Sequence, residues 1–266
     1  MKQFVVFLGM LAVLGTTFST ASAGLILSLD GSRTSDENEG GGDRYLTAPA
    51  MSDATGVLQA AGFTIGTRSA FTAANIAGAC ALYTGAVNVD FSAQEIADIQ
   101  AFVSAGGGLV LQRDWGNFYP AADALATAFG ATYDTGPFFA QPVNMTVAHA
   151  IWNGPAGSVT TYDQVYSSSV SGATGIGVHS GNPSQVALAV TTYGAGRVVF
   201  LTDMDAWDSA GDSVSPIAGS NNAIVWENIF HYACGGGTPA VPVPGAIALC
   251  GIGAGAVGWL RRRRTL

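Results

Sequence analysis

Between Ser92 and Gln112 the chain spells out a helix, its stop and the strand that must follow. Ser92-Ala93-Gln94-Glu95 is a capping box, in which serine and glutamate each satisfy a free backbone amide at a helix start. Ile96, Ile99, Phe102 and Val103 recur at three and four residues and give one apolar stripe. Gly106-Gly107-Gly108 ends that helix, and Leu109-Val110-Leu111-Gln112 reads as a strand.

The same alternation repeats around it. Gly24 to Gly31 reads as an opening strand, Ser32 to Asp43 as a polar loop, and Pro49 to Ala61 as a helix stopped by Gly62. Phe63 to Gly66 is a second strand, Thr72 to Ala77 a brief helix, and Ala81 to Thr84 a third strand. Ala121 to Phe129 is a helix closed by Gly130, and Asn221 to Tyr232 is a last helix capped by Ser220. Strands alternating with helices predict an α/β domain with a doubly wound, mostly parallel sheet. Gly175 to Val190 breaks at Ser180-Gly181-Asn182-Pro183, and Ala187 to Phe200 breaks at Gly194-Ala195-Gly196. Both read as hairpins that add antiparallel strands to the sheet.

Charge separates the ends from the body. The net charge is −8, from 10 basic and 18 acidic residues. Lys2 and Arg261 to Arg264 sit at the two ends, so the body holds only five arginines, no lysine and every acid. Nucleic acid is excluded as a partner on this ground, because it requires a basic footprint. Lys2, the apolar run Phe4 to Leu14 and Ala21-Ser22-Ala23 describe a secretory signal peptide over residues 1–23, cut after Ala23. At the other end, Gly245 to Leu260 carries no charge and precedes four arginines. As a helix it would rise about 24 Å at about 1.5 Å per residue. The arginine stems extend its reach toward a hydrocarbon core of about 30 Å. The positive flank sets its cytoplasmic end.

This tail, residues 241–266, resembles the PEP-CTERM sorting signal. A proline motif, one weak transmembrane helix and a terminal arginine cluster stand in that order, with Pro242-Val243-Pro244 where the family has Pro-Glu-Pro. The resemblance implies recognition by an exosortase after the secretion machinery, with release or attachment at the bacterial cell surface within exopolysaccharide. Residues 235–240 are the linker.

The body, residues 24–234, resembles the class I glutamine amidotransferase-like superfamily, which implies a flavodoxin-like fold. The likeness rests on Ala101 to Leu111, on His149-Ala150-Ile151-Trp152-Asn153-Gly154, and on Tyr193 to Asp203 followed by the Asn-rich start of the last helix. Active members carry a cysteine on the turn after the central strand. Here that turn is Arg113-Asp114-Trp115-Gly116, so the resemblance implies a scaffold without the nucleophile.

The ligand crevice of an open α/β sheet lies beyond the carboxyl ends of its strands. Asp30, Asp114, Asp203 and Asp205 fall there, and Asp208 and Asp212 follow on the last loop. Asp203, Asp205 and Asp208 offer oxygen ligands for calcium, or they are solvated loop acids and turn caps. His149 is the candidate base of a hydrolase reading, with Asp114 and the Asp203 loop. Its alternative is a loop-fixing hydrogen bond. Trp115, Phe118 and Tyr119 could stack on a sugar or pack inside. Cys80 and Cys234 could pair in an oxidising compartment or stay as two buried thiols. The reading that combines these is an exported, membrane-anchored or exosortase-processed surface protein with a non-catalytic α/β domain. The alternatives are an exported hydrolase acting on a glycan or amide, and a divalent-cation or carbohydrate-binding module.

Overall fold

The computed structural model describes residues 24–34, 44–114, 116, 119–139, 142–209, 217 and 220–235. The signal segment 1–23 with Ala23, the span 245–260, Pro242, Pro244 and Arg261, Arg262, Arg263 and Arg264 lie outside them. So do Trp115, Phe118 and Asp212. Among the described residues no helix is long and apolar enough to cross a membrane.

The domain is mixed α/β. In chain order its strands are β1 (Gly24–Leu29), β2 (Phe63–Arg68), β3 (Ala79–Tyr83), β4 (Gly108–Gln112), β5 (Thr132–Phe139) and β6 (Val143–Met145). The short pieces β7 (Asn153–Gly154), β8 (Gly157–Ser158) and β9 (Thr161–Tyr162) follow. Then come β10 (Tyr166–Ser171), β11 (Thr174–His179), β12 (Asn182–Tyr193) and β13 (Gly196–Leu201). The α-helices are α1 (Ser52–Ala60), α2 (Ala93–Ser104), α3 (Ala121–Ala128) and α4 (Asn221–Ala233).

Nine strands form one sheet in the order β2-β1-β3-β4-β13-β12-β11-β6-β9. The first five run parallel. From β13 onward each neighbour is antiparallel, through the two expected hairpins. β5 and β10 pair in a separate two-stranded sheet that the sequence pattern did not suggest.

Side-chain alternation puts a core on each face. Ile26, Val110, Val199 and Leu201 point to the face covered by α1 and α4, where Leu58, Trp226 and Phe230 are buried. Leu27, Leu109, Leu111, Val198 and Phe200 point to the other face, where α2 and α3 supply Ile99, Val103 and Leu125. The central strands are therefore apolar on both sides, as buried parallel strands must be. On the first face an aromatic row crosses from the antiparallel half to α4. Trp152, Tyr162, Trp207 and Trp226 follow one another at centroid separations of 5.8, 5.2 and 5.0 Å.

The expected local signals are present where they can be checked. Ser92 and Glu95 form both hydrogen bonds of the capping box. Gly62 and Gly130 take φ of +91° and +80° after their helices, the left-handed region open to glycine. The brief helix expected over Thr72 to Ala77 is a single turn instead. Its amides at Asn75 and Ile76 both donate to the Thr72 carbonyl, and the Asn75 side chain accepts from the Thr72 amide. A local asparagine bond of this kind competes with helix propagation. Cys80 lies inside β3 rather than ahead of it, and it is bonded to Cys234 across 154 residues with Cα atoms 4.9 Å apart. That separation sits within ordinary disulfide reach.

The end of α4 rests on the start of β4 with no side chain between them. A Cβ on Gly108 would stand 2.4 Å from the Ala233 carbonyl oxygen, a backbone atom with no room to retreat. Gly108→Ala is expected to lower unfolding free energy by about 1–3 kcal/mol. Gly56→Ala, exposed within α1 with nothing within 4 Å, is expected to raise it by about 0.4–1 kcal/mol. Urea unfolding of both variants checks the opposite signs.

Candidate functional site

The strand order places the topological switch between β1 and β3, so the crevice belongs at their carboxyl ends. The chain itself occupies it. Leu46 donates its amide to Ser28 Oγ at 3.2 Å, and Asn88 donates its amide to the Arg33 carbonyl at 2.9 Å. Gly85, at φ +65°, lets the Arg44 backbone pass so close that a Cβ would meet its carbonyl at 2.4 Å. A side chain at 85 would expel Arg44, so the crevice is filled by design of the backbone.

Arg44 is the centre of this edge. Its guanidinium is buried and lies 2.8 Å from Asp208 and 3.6 Å from Asp205. Asp208 is fully buried. Sequence reading offered Asp203, Asp205 and Asp208 as a calcium set. The cation that two of them face is an arginine, which neutralises the carboxylates a metal would need. Among the described residues no group of three or more metal-ligating side chains stands together. Asp203 serves the backbone. Its carboxylate accepts the amides of Val165 at 2.7 Å and Asp205 at 2.9 Å, which closes the loop after β13. Burial, then the neighbouring Asp205 charge, push its carboxyl well above the usual range.

The other candidates separate. Asp30 stays at the carboxyl end of β1, but one of its oxygens accepts both the amide and the hydroxyl of Ser32. Asp114 follows β4 and is fully buried, with the Arg113 guanidinium donating to its carbonyl. His149 is at the opposite end of the sheet. Its ring lies 4.6 Å from that of Tyr232, whose own ring and carbonyl hold Arg197 at the start of β13. β13 has six residues and rises about 3.3 Å for each, so roughly a strand's length separates the Arg197 end, where His149 sits, from the end that leads to Asp203. The hydrolase grouping of Asp114, His149 and the Asp203 loop is thus not assembled. His149 fixes its turn, with Nδ1 accepting the Ile151 amide at 3.2 Å. Burial, then the Arg197 charge, lower its pKa. Tyr119 is buried against Ala86 and Met204, so its ring is closed to a sugar.

The histidine at the carboxyl edge is His179. It ends β11, and its Nε2 lies 3.1 Å from Ser167 Oγ and 3.2 Å from the Ser168 carbonyl. Ser168 in turn donates its amide to the Thr202 carbonyl just beyond β13. Nearby, Gln164 donates to Tyr162 Oη and Thr202 Oγ1, and Gln112 donates to the Asp203 carbonyl at 2.7 Å. A proton on Nε2, directed to the Ser168 carbonyl, makes Ser167 an acceptor from histidine rather than a nucleophile feeding it. The serine and the histidine are both buried. This network joins β10, β11 and β13. Sequence reading missed it because its residues are isolated serines, glutamines and a histidine on strands that touch only in three dimensions. Arg44 left a better signal: it is one of five body arginines and is followed directly by Tyr45-Leu46.

Two outcomes follow from these burials. Arg44→Met leaves Asp208 buried without its counter-charge, and unfolding free energy is expected to fall by about 3–5 kcal/mol in urea titrations. Burial lowers the His179 pKa below its ordinary 6.5, with the Ser168 carbonyl opposing weakly. The unfolded chain then takes up a proton first as pH falls, so stability present above pH 6.5 is lost below it. Urea midpoints measured at pH 7.5 and pH 5 are expected to differ less in His179→Gln than in the unaltered chain.

No protein-family model matches the chain, and no curated protein matches it. Solved structures share its fold. The mmIFT52 N-terminal domain aligns with a TM-score of 0.61 at 12% identity, over 79% of this chain and 97% of that one. A cytoplasmic protein of Salmonella typhimurium LT2 gives 0.55 at 14% identity, over 79% and 98%. A β-galactosidase from Bacillus circulans sp. alkalophilus gives 0.51 at 10% identity, over 82% of this chain but 32% of that one. At these identities the likeness is one of architecture, and fold alone does not carry function.

Proposed function

We propose that the chain is an exported bacterial surface or matrix protein whose α/β domain is a non-catalytic, flavodoxin-like scaffold. Residues 1–23 serve as its signal peptide. Residues 241–266 serve as its PEP-CTERM-like sorting signal, with the transmembrane helix over 245–260 and an exosortase as processing partner.

The observation that carries this reading is the Cys80–Cys234 disulfide. Such bonds persist in oxidising compartments and are rare in reducing cytosol. The body's charge agrees, since five arginines against eighteen acids keep it soluble and away from nucleic acid. The non-catalytic half of the reading is supported by how the carboxyl edge spends its groups. Asp203 is bound to backbone, Asp208 faces Arg44, and the turn after β4 begins Arg113-Asp114 where the amidotransferase-like family places cysteine.

Mass spectrometry of the protein recovered from the envelope and medium of its natural host tests the sorting. The expected mature chain begins at Gly24 and ends near Pro244. Recovery of all 266 residues from the cytosol, with both ends intact, would overturn it.

A further inference from the structure

A groove of about 420 Å³ opens at the amino edge of the sheet, opposite the charged edge. Cys80 and Cys234 both line it. Its other walls are small: Ala79, Ala105 and three glycines, with Phe102 as the one large side chain. Cys80 is 7% exposed, while Cys234, at the cap of α4, is only partly buried. The disulfide therefore sits at the border of the core, with Cys80 packed into it and both residues lining the groove. Gly24 flanks them on the other side, where a Cβ would stand 2.6 Å from Cys80 Sγ.

We propose that the Cys80–Cys234 disulfide is a redox clasp: a dithiol reductant reaches it through this groove in the folded protein, and its opening frees the last turn of α4 from β3. The reductant's thiolate attacks Cys234 Sγ, the more accessible sulfur. The S–S bond breaks and Cys80 leaves as a thiolate that takes up a proton. The reductant's second thiol then displaces Cys234 from the mixed disulfide. Two electrons pass to the protein, and the reductant departs as its own disulfide.

The rest of α4 does not need the clasp. Val225, Trp226, Ile229 and Phe230 are fully buried against the sheet, and Trp226 Nε1 donates to the Ala54 carbonyl at 3.1 Å. Beyond Phe230, the Tyr232 carbonyl accepts from Arg197 at 2.7 Å. His231, Tyr232 and Ala233 stay held by Phe63, Arg197 and Gly108, so opening the clasp loosens Cys234 and Gly235 and leaves the fold. Gly235 leads directly into the linker, so under the sorting reading above the redox state sets whether β3 or one helical turn bears a pull from the tail. Reducibility itself does not depend on that reading.

The test uses the full-length chain in native buffer. Cys250 is first blocked with N-ethylmaleimide. Dithiothreitol is then added and new thiols are trapped with iodoacetamide. Alkylation of both Cys80 and Cys234 is expected without urea, at a rate that urea below the unfolding transition does not change. Amide exchange is expected to rise at least tenfold at Cys234 and Gly235 and to stay unchanged over 225–233. Ala105→Met, which narrows the groove, is expected to slow alkylation about tenfold. Phe102→Ala, which widens it, is expected to speed alkylation. Alkylation that begins only at the unfolding midpoint would overturn the proposal. So would equal rates in both variants, or exchange that spreads through all of α4. None of these readings depends on where the cell puts the protein.

Discussion

Positive charge is scarce in this domain, and the fold spends it on holding its own connections. The body has five arginines and no lysine. Arg33 reaches Glu95 at 2.9 Å and also donates to the carbonyls of Val89 and Asp90, tying the turn after β1 to the start of α2. Arg44 lies between Asp205 and Asp208. Arg113 binds Asp123 and the carbonyls of Asp114 and Gly116, drawing the turn after β4 against α3. Arg68 donates to the carbonyls of Thr67 and Asn75, closing the turn that leads to β3. Arg197 holds the end of α4. A guanidinium suits this work because its fork satisfies several carbonyls and a carboxylate at once, which an ammonium does not. The connections after β1, β2, β4 and β13 are thereby anchored near their roots.

That economy shapes the carboxyl edge. In other sheets of this topology the edge is where ligands are held, and its free carboxylates and amides are what hold them. Here the groups face one another. The pocket at the β1–β3 switch contains the chain's own residues 44–46, and the acids of the loop after β13 are turned to Arg44 and to backbone amides. The bonds of Asp203 to backbone and of Asp208 to Arg44 lie in a low-dielectric setting, where each is costly to break. The buried Ser167–His179 contact belongs to the same economy. It secures β10 to β11 where the two-stranded sheet meets the large one.

How much of this was legible in the sequence depends on how local the signal is. The capping box at Ser92, the glycine stops after α1 and α3, and the breakers between β11, β12 and β13 are short-range features, and all were read correctly. The parallel half followed from the alternation they punctuate. β5 and β10 were not read, because 26 residues separate Phe139 from Tyr166 and neither segment alternates cleanly. The aromatic row was invisible for the same reason: Trp152, Tyr162, Trp207 and Trp226 share no period. The candidate site failed in an instructive way. Position after a strand correctly placed the aspartates at the carboxyl edge, yet it could not show that Arg44 would be folded in among them. His149 was misplaced because the strand before it, β6, was not read, and β6 runs antiparallel to β11 and so ends at the amino edge.

The two edges of the sheet divide the labour. Every parallel strand begins at the edge where the chain enters at Gly24 and leaves at Gly235, and the disulfide stands between those points. Entry and exit are therefore close together, with the disulfide between β3 and the end of α4 beside Gly24, while the charged edge lies a strand's length away. A pull applied beyond Cys234 would pass into β3 through one bond rather than along α4. Shear along paired strands loads many hydrogen bonds at once, whereas peeling a helix from its end breaks its contacts in turn. Fixing Cys234 to the middle of the parallel sheet replaces the second geometry with the first. The same placement leaves the acidic loops after β13 at the far edge.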